Sequence, residues 1–474
     1  MKRIYSFLFA ILTLAATTGV FTSCQEDAPE INYTISVTVN NDFTEVVNAI
    51  NNGTLKQEAA VAALTAAIEK MQGDQESKQQ AIADAINDLA KTTDAKLAII
   101  EAAMKAQILS QEEASAKIHA LLEGIDTAIN PNYVTFTADK PQTLTYTGSD
   151  LQYSTDGITF KHLSANTSVP FGGDDILYLR GVDNMDGTEE YNISFGNDDV
   201  PVACTGDIRT LIDYKTYKTV DTSNALFVWL FCDCTELTSA PELPATTLAD
   251  HCYQYMFRGC TSLKDAPALP ATTLAASCYL YMFSGCTSLV NAPELPATTL
   301  ANSCYWFMFS GCTDLVNAPA LPATTLANYC YWSMFSGCTS LVNAPALPAT
   351  TLAQDCYRYM FLDCTSLVNA PALPATTLAD NCYLSMFYGC EKLTEAPALP
   401  ATTLADGCYR YMFTNCTSLN NITMLATDIS ASFCLDEWVK GVATSGTFTK
   451  ASSMTSLPEN STSGIPTGWT VDNQ

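Results

Sequence analysis

Residues 286–311 read CTSLVNAPELPATTLANSCYWFMFSG, and the same sentence is written again every 26 residues from Cys234 to Cys434. Cysteines recur at 234, 260, 286, 312, 338, 364, 390 and 416. A second column recurs at 252, 278, 304, 330, 356, 382, 408 and 434. Self-similarity at one fixed period over this length is the mark of a solenoid, in which each coil packs only on its neighbours. Comparing the copies separates inside from outside. In CYxxMFxGC, with the first Cys as position 0, the residues at 0, 1, 4, 5 and 8 stay constant, here Cys304, Tyr305, Met308, Phe309 and Cys312. That set covers one face of a short helix, while positions 2, 3 and 6 vary and are expected to face water.

Residues 289–295, LVNAPEL, read as the strand of each unit. Pro293 removes a backbone donor, so the strand must be short or irregular there. Asn291, Asn317, Asn343 and Asn369 share one column; an amide ladder and a plain turn-facing column both remain open. PATTLA then turns the chain back. The expected fold class is an α/β solenoid of leucine-rich-repeat type, one strand and one short helix per 26-residue unit, spanning residues 221–437. Residues 438–474, rich in Ser, Thr and Gly but holding Trp438 and Trp469, read as a β-type cap on the last coil.

The position-2 column holds Gln254, Leu280, Trp306, Trp332, Arg358, Leu384 and Arg410. Leu280, Trp306 and Trp332 in adjacent copies make an apolar patch where a polar column is expected, and form the candidate binding surface. The alternative is Trp lying flat to cover its neighbours. The thiols also allow two readings. Pairing residues eighteen apart, from Cys234–Cys252 to Cys416–Cys434, would use all sixteen array cysteines in an exported chain. Helix positions 0 and 8 lie about 12 Å apart, beyond the roughly 7 Å that bridged Cα atoms need, which favours two columns of buried free thiols.

The units resemble BspA-like leucine-rich repeats, through L-x-x-A-P-x-L-P and the M-F-x-G-C-T-S-L run, over residues 234–434. The unit here is a few residues longer than usual, and Ala240, Ala266 and their equivalents replace a larger aliphatic, which thins the strand side. The resemblance implies a surface protein that adheres to host matrix proteins, host cells or other bacteria, and names no ligand.

Residues 1–24, MKRIYSFLFAILTLAATTGVFTSC, begin with Lys2 and Arg3, continue apolar from 4 to 21, and stop at Cys24. This resembles a bacterial lipoprotein signal: residues 1–23 would be removed and Cys24 acylated, giving a lipid anchor in the outer membrane or at the cell surface. The Gln25-Glu26-Asp27 start resembles a surface-export signal. Residues 24–41 are an anchor segment with one short strand at 31–41. Residues 42–130, rich in Ala, Lys, Glu and Gln, carry apolar residues at Ile82, Ile86 and Leu89 and onward. They read as a coiled-coil-like helical stalk of about 130 Å if continuous, through which an oligomer is conceivable. Residues 131–220 look like a small β domain, a sandwich by default, with strands at 133–137, 143–147, 158–161, 176–180 and 191–195 and turns at Asp156-Gly157, Gly172-Gly173 and Asp186-Gly187.

A net charge of −27 repels nucleic acid and anionic headgroups. Histidines at 119, 162 and 251 sit beside no nucleophile or metal pattern, and His251 is replaced in its column by Ser277, Ser303, Tyr329, Asp355, Asn381 and Gly407. Phosphate loops, HExxH and zinc-type CxxC pairs are absent from the sequence. The aspartates at 174, 175, 183, 186, 198 and 199 lack EF-hand spacing and read as solvated turns. No enzyme, cofactor or metal site is therefore expected. The two open functions are protein binding in adhesion and glycan or nutrient capture beside a transporter.

Overall fold

The computed structural model describes residues 132–474 apart from Met185 and Glu190. The signal segment 1–23, Cys24, the segment 24–41 and the stalk at 42–130 lie outside the described residues.

The β domain contains β1 (Val134–Thr137), β2 (Gln142–Tyr146), β3 (Leu151–Ser154), β4 (Lys161–His162), β5 (Thr167–Phe171), β6 (Leu177–Gly181), β7 (Gly187–Glu189), β8 (Ile193–Phe195) and β9 (Val202–Thr205). β1 pairs antiparallel with β6 and β9, and β3 pairs with β6 and β4. β2 sits between β5 and β8 in a second, three-stranded sheet. Alternate residues point inward as the pleat requires: Val134 and Phe136, Leu144 and Tyr146, Leu177 and Leu179 are fully buried. Phe136 and Phe195 bring the two sheets to one core, ring centroids 6.1 Å apart. The expected strand at 158–161 is reached only at its end, where Lys161 begins β4; before it the Asp156 carboxylate accepts the N–H groups of Ile158 and Thr159 at 2.8 and 2.7 Å in a bend, and Ile158 is 86% exposed.

The array departs from expectation in one respect. Among the described residues there is no α-helix, and CYxxMFxGC is a ribbon of overlapping turns. Residues Cys304, Trp306, Met308, Ser310 and Cys312 donate their N–H to the carbonyl three residues back, at 3.1–3.3 Å. The residues between them, Ser303, Tyr305, Phe307, Phe309 and Gly311, donate forward to Asn328, Cys330, Trp332, Met334 and Ser336 of the next coil, at 2.7–3.0 Å. Every N–H from 303 to 312 is thus satisfied, half within the coil and half by its neighbour. The backbone enters the left-handed region every fourth residue, at Ser303, Phe307 and Gly311 (φ 56, 55 and 74°), which no α-helix permits. A four-residue period also buries positions 0, 1, 4, 5 and 8, so the constant set was consistent with either geometry.

The strand side is reduced to single parallel bridges, Asn291↔Asn317 and Thr299↔Thr325 among them, as the proline in each copy demands. Ala240, Ala266 and Ala292 are only partly buried there. The core of the array is columnar. Phe257, Phe283, Phe309, Phe335, Phe361, Phe387 and Phe413 stack at 5.6–5.7 Å within 9° of parallel.

All eighteen described cysteines are free thiols. The column from Cys260 to Cys416 donates S–H to a phenylalanine carbonyl of the preceding coil, Cys312 to Phe283 at 3.1 Å for example. Burial pushes Cys278, Cys330 and Cys338 up to about 12, which leaves them protonated and unreactive near neutrality.

Both ends of the stack are closed. β11 (Leu237–Ser239), following β10 (Leu226–Phe227), pairs parallel with β9, so the first coil continues the β domain's larger sheet. The first coil's backward-facing carbonyls are met by that domain: Ile193 N–H bonds Leu230 O at 2.8 Å, and the Asn192 amide bonds Trp229 O and Cys232 O at 2.9 and 3.1 Å. At the far end β12 (Asn421–Met424), β13 (Thr447–Lys450) and β14 (Thr470–Asn473) form a parallel sheet. β13 keeps the 26-residue stagger on β12, and Trp438 and Trp469 are buried with indole N–H bonds to Gly464 O and Ala443 O.

Candidate functional site

The three residues of the expected patch do not share one environment. Leu280 is 8% exposed and belongs to the buried shell, as Leu384 is at 5%; in a turn ribbon position 2 lies closer to the neighbouring coils than on a helix. Trp306 and Trp332 are half-buried and stack on each other, centroids 4.8 Å apart at 21°. Tyr329, one residue ahead of its cysteine, joins them at 6.0 and 5.5 Å. Arg358 closes the cluster from the next coil, its guanidinium 4.5 Å over Trp332 and 4.9 Å over Tyr359. It donates to Asp355 Oδ1 at 3.0 Å and to the Tyr359 hydroxyl at 3.2 Å. Burial pulls this guanidinium down, but the bonds to Tyr359 and Asp355 outweigh it and hold it above its ordinary range. Two donors in the cluster, Trp306 Nε1 and Arg358 Nε, have no hydrogen-bond partner.

A second feature lies where the β domain meets the first coils: an open groove of about 760 Å³. It is lined by a column of aromatics at position 3, Trp229, Tyr255 and Tyr281, together with Asn192 of the β domain and the partly exposed Asp233 and Arg258. Tyr255 and Tyr281 stack at 4.9 Å, while Trp229 tilts 47° away from Tyr255 and is 40% exposed. The half-buried Cys232 thiol also lines the groove and is pushed up to about 11, by burial and then by the Asp233 charge. The sequence did not reveal this site because it joins the β domain to a first coil, around Trp229, that lacks the array's cysteine-tyrosine signature, as well as to two coils that carry it. The spacing signal was present, since Trp229 stands 26 residues before Tyr255.

Of the histidines, His162 is exposed on β4 and His251 contacts Gln254 at 2.8 Å. Among the described residues no three carboxylate, imidazole or thiol groups converge as metal ligands do. No described helix is long and apolar enough to cross a membrane.

The profile of the BspA type Leucine rich repeat region matches residues 229–368 and 335–453, in six copies. No curated protein and no solved structure matches the chain. The matched span covers the turn ribbons, the cysteine columns and the first two strands of the far cap, so residues 229–453 form a BspA-type leucine-rich repeat region.

Proposed function

We propose that this chain is a lipid-anchored surface protein whose repeat array binds a protein partner, in adhesion to host matrix, host cells or other bacteria. BspA-like repeats point to protein-binding or adhesion at the level of the family. The observation that carries the reading is the cluster of Trp306, Trp332, Tyr329 and Arg358 on otherwise repetitive coils. Tryptophan, tyrosine and arginine dominate the energetics of protein interfaces because they bring large apolar area with directed polar atoms. Here the stack is pre-formed, so little side-chain freedom is lost on binding. The chain's −27 charge favours a neutral or basic partner and disfavours nucleic acid.

Anchoring is carried by the sequence of residues 1–24 alone, with Cys24 as the acylated residue and the segment 42–130 as a spacer able to associate with a second copy. No cofactor and no catalytic role enters this reading. Its support is the interchange of residue types in the outward columns of the turn ribbon, such as position 2 and the column of His251, which recognition tolerates and a catalytic group does not.

Solid-phase binding of the full chain to matrix proteins and host cells is the test. Trp306→Ser with Trp332→Ser should lower binding roughly tenfold or more and leave the melting curve in place. Lost thermal stability with unchanged binding would show that the two indoles only cover their neighbours. Cys24→Ser should release the chain from membranes; a variant that stays fully membrane-bound removes the anchor assignment.

A further inference from the structure

The geometry points to a second binding site, for a neutral saccharide, in the groove between the β domain and the first coils. It goes beyond the protein-binding reading and uses none of the same residues.

The aromatic wall is not demanded by the fold. Position 3 sits in the left-handed region in every coil: Trp229, Tyr255, Tyr281 and Phe307 have φ of 61, 57, 55 and 55°. Bulky residues are disfavoured there. The same column holds Ser333 and Ser385 with φ of 53 and 52° and the same turn, so a small residue suffices. Tyr359 and Tyr411 also carry rings in this column, each in a coil that borders a serine coil, but only the first coils hold an unbroken run, Trp229 to Phe307, and there the β domain's Asn192 and Ser194 line the same groove. At the open end of that column Trp229 leans out of the stack, leaving ring surface exposed.

The polar groups around it are held and only partly used. Both bonds of the Asn192 amide go to carbonyl oxygens, Trp229 O and Cys232 O, which fixes Nδ2 as the donor and Oδ1 as the free acceptor. Arg258 lies 4.0 Å from Asp233, too long for a hydrogen bond, and both side chains are about half exposed or more, at 49% and 69%. Donors and acceptors therefore stand open beside an aromatic face. A pyranose has this complement: an apolar C–H face to lie on an indole and a rim of hydroxyls that each donate and accept. The volume suits one or two sugar rings. Arg258 is opposed by Asp233 within the groove, and the chain as a whole is strongly acidic. An anionic sugar gains nothing there, so the ligand is neutral.

The full chain would be screened on an array of neutral oligosaccharides beside sialylated and sulfated ones. The best neutral binder would then be titrated calorimetrically. We expect neutral binders, with affinity lowered roughly tenfold or more by Trp229→Ser and by Asp233→Asn, and unchanged by Val316→Ser on the strand side of the array. Serine already occupies the Trp229 column, so the first variant should keep its melting curve. If it does not, Arg258→Ser decides, since Ser284, Ser310 and Ser336 fill that column. The inference falls if no neutral glycan binds, if only acidic ones do, or if the groove variants bind as tightly as the parent chain. A loss of protein-partner binding in the Trp306 and Trp332 variant bears on the other reading alone.

Discussion

The β domain and the repeat array bury the same classes of side chain and satisfy their backbones by opposite means. In the β domain antiparallel strands exchange bonds, and each interior position holds its own residue: Val134, Phe136, Leu144, Leu177. In the array, half the ribbon's N–H groups point forward to the next coil, and each interior column repeats one residue type. The first arrangement closes on itself. The second is open at both ends and needs termination, supplied by Asn192 and Ile193 at one end and by the Glu437 and Val439 bonds to Ser463 and Thr462 at the other. A self-closing domain is thus used as the lid of a stack that cannot close.

The widest separation between the two regions is expected in alkali. Burial raises the array thiols above their ordinary value of 9, with Cys278, Cys330 and Cys338 near 12, whereas the β domain holds one buried thiol, Cys204. Below about pH 9 folded and unfolded chains both keep these protons and stability is full. Above it the unfolded chain ionises first, and each further pH unit favours unfolding by about 1.4 kcal/mol per thiol until the folded value is reached. The buried tyrosine column, also raised by burial, adds to this above its ordinary 10. Circular dichroism melts against pH should show the array lost between about pH 9 and 12. Thiolate absorbance rising near 9 in a chain that stays folded would contradict the buried columns.

A smaller break comes from one ring. Phe309→Ala removes a member of the phenylalanine stack and should cost about 3–5 kcal/mol, read from urea unfolding. Phe136→Ala should cost a similar amount in the β domain and also strip the contact with Phe231 at 6.2 Å, so that it destabilises the first coils as well. Two separate transitions with only one displaced would show that the lid and the stack are not coupled.

Gly311 sharpens the difference between a ribbon of turns and a helix. A Cβ there would meet only Gly285 backbone at 3.7 Å, an ordinary contact, so glycine is held by its φ of 74° and not by space. Gly311→Ala should destabilise by about 1 kcal/mol, where a helix interior would gain from the same change. Gly311→Asn should cost less, since Asn415 stands in that column at φ 62°. A raised melting temperature for Gly311→Ala would argue for a helix.

How much of this was legible follows from what repeats. The 26-residue period, the constant inward set and the thiol columns could be read because eight copies vary around them. The helix was a misreading of period: over nine residues 3.6 and 4.0 both place 0, 1, 4, 5 and 8 together. The contrary signal was the Gly, Asp and Asn column at 285, 311, 363 and 415, residues suited to positive φ at a spacing no helix needs. In the β domain the strands at 151–154 and 167–171 hid among polar residues, the second carrying Pro170 on a sheet edge. The groove was invisible because it joins Asn192 to residues some 40 to 90 positions later, a contact only the folded chain makes.

The smallest expected effect concerns the asparagine column, where ladder and plain column both remained open. The folded chain gives a mixture. Asn369 donates to Asn343 at 2.7 Å and Asn291 to Asp265 at 3.0 Å, both exposed. The backbone bridges Asn291↔Asn317 and Asn317↔Asn343 continue the column without a side-chain bond between those amides. An exposed amide pair exchanges water for a partner and nets little, because the released groups are solvated at once. Asn343→Ala should therefore change stability by about 0.5 kcal/mol or less, against several for Phe309→Ala in the adjoining coil. If thermal melting instead shows a loss near that of the ring, the polar column and not the aromatic one would be holding successive coils in register.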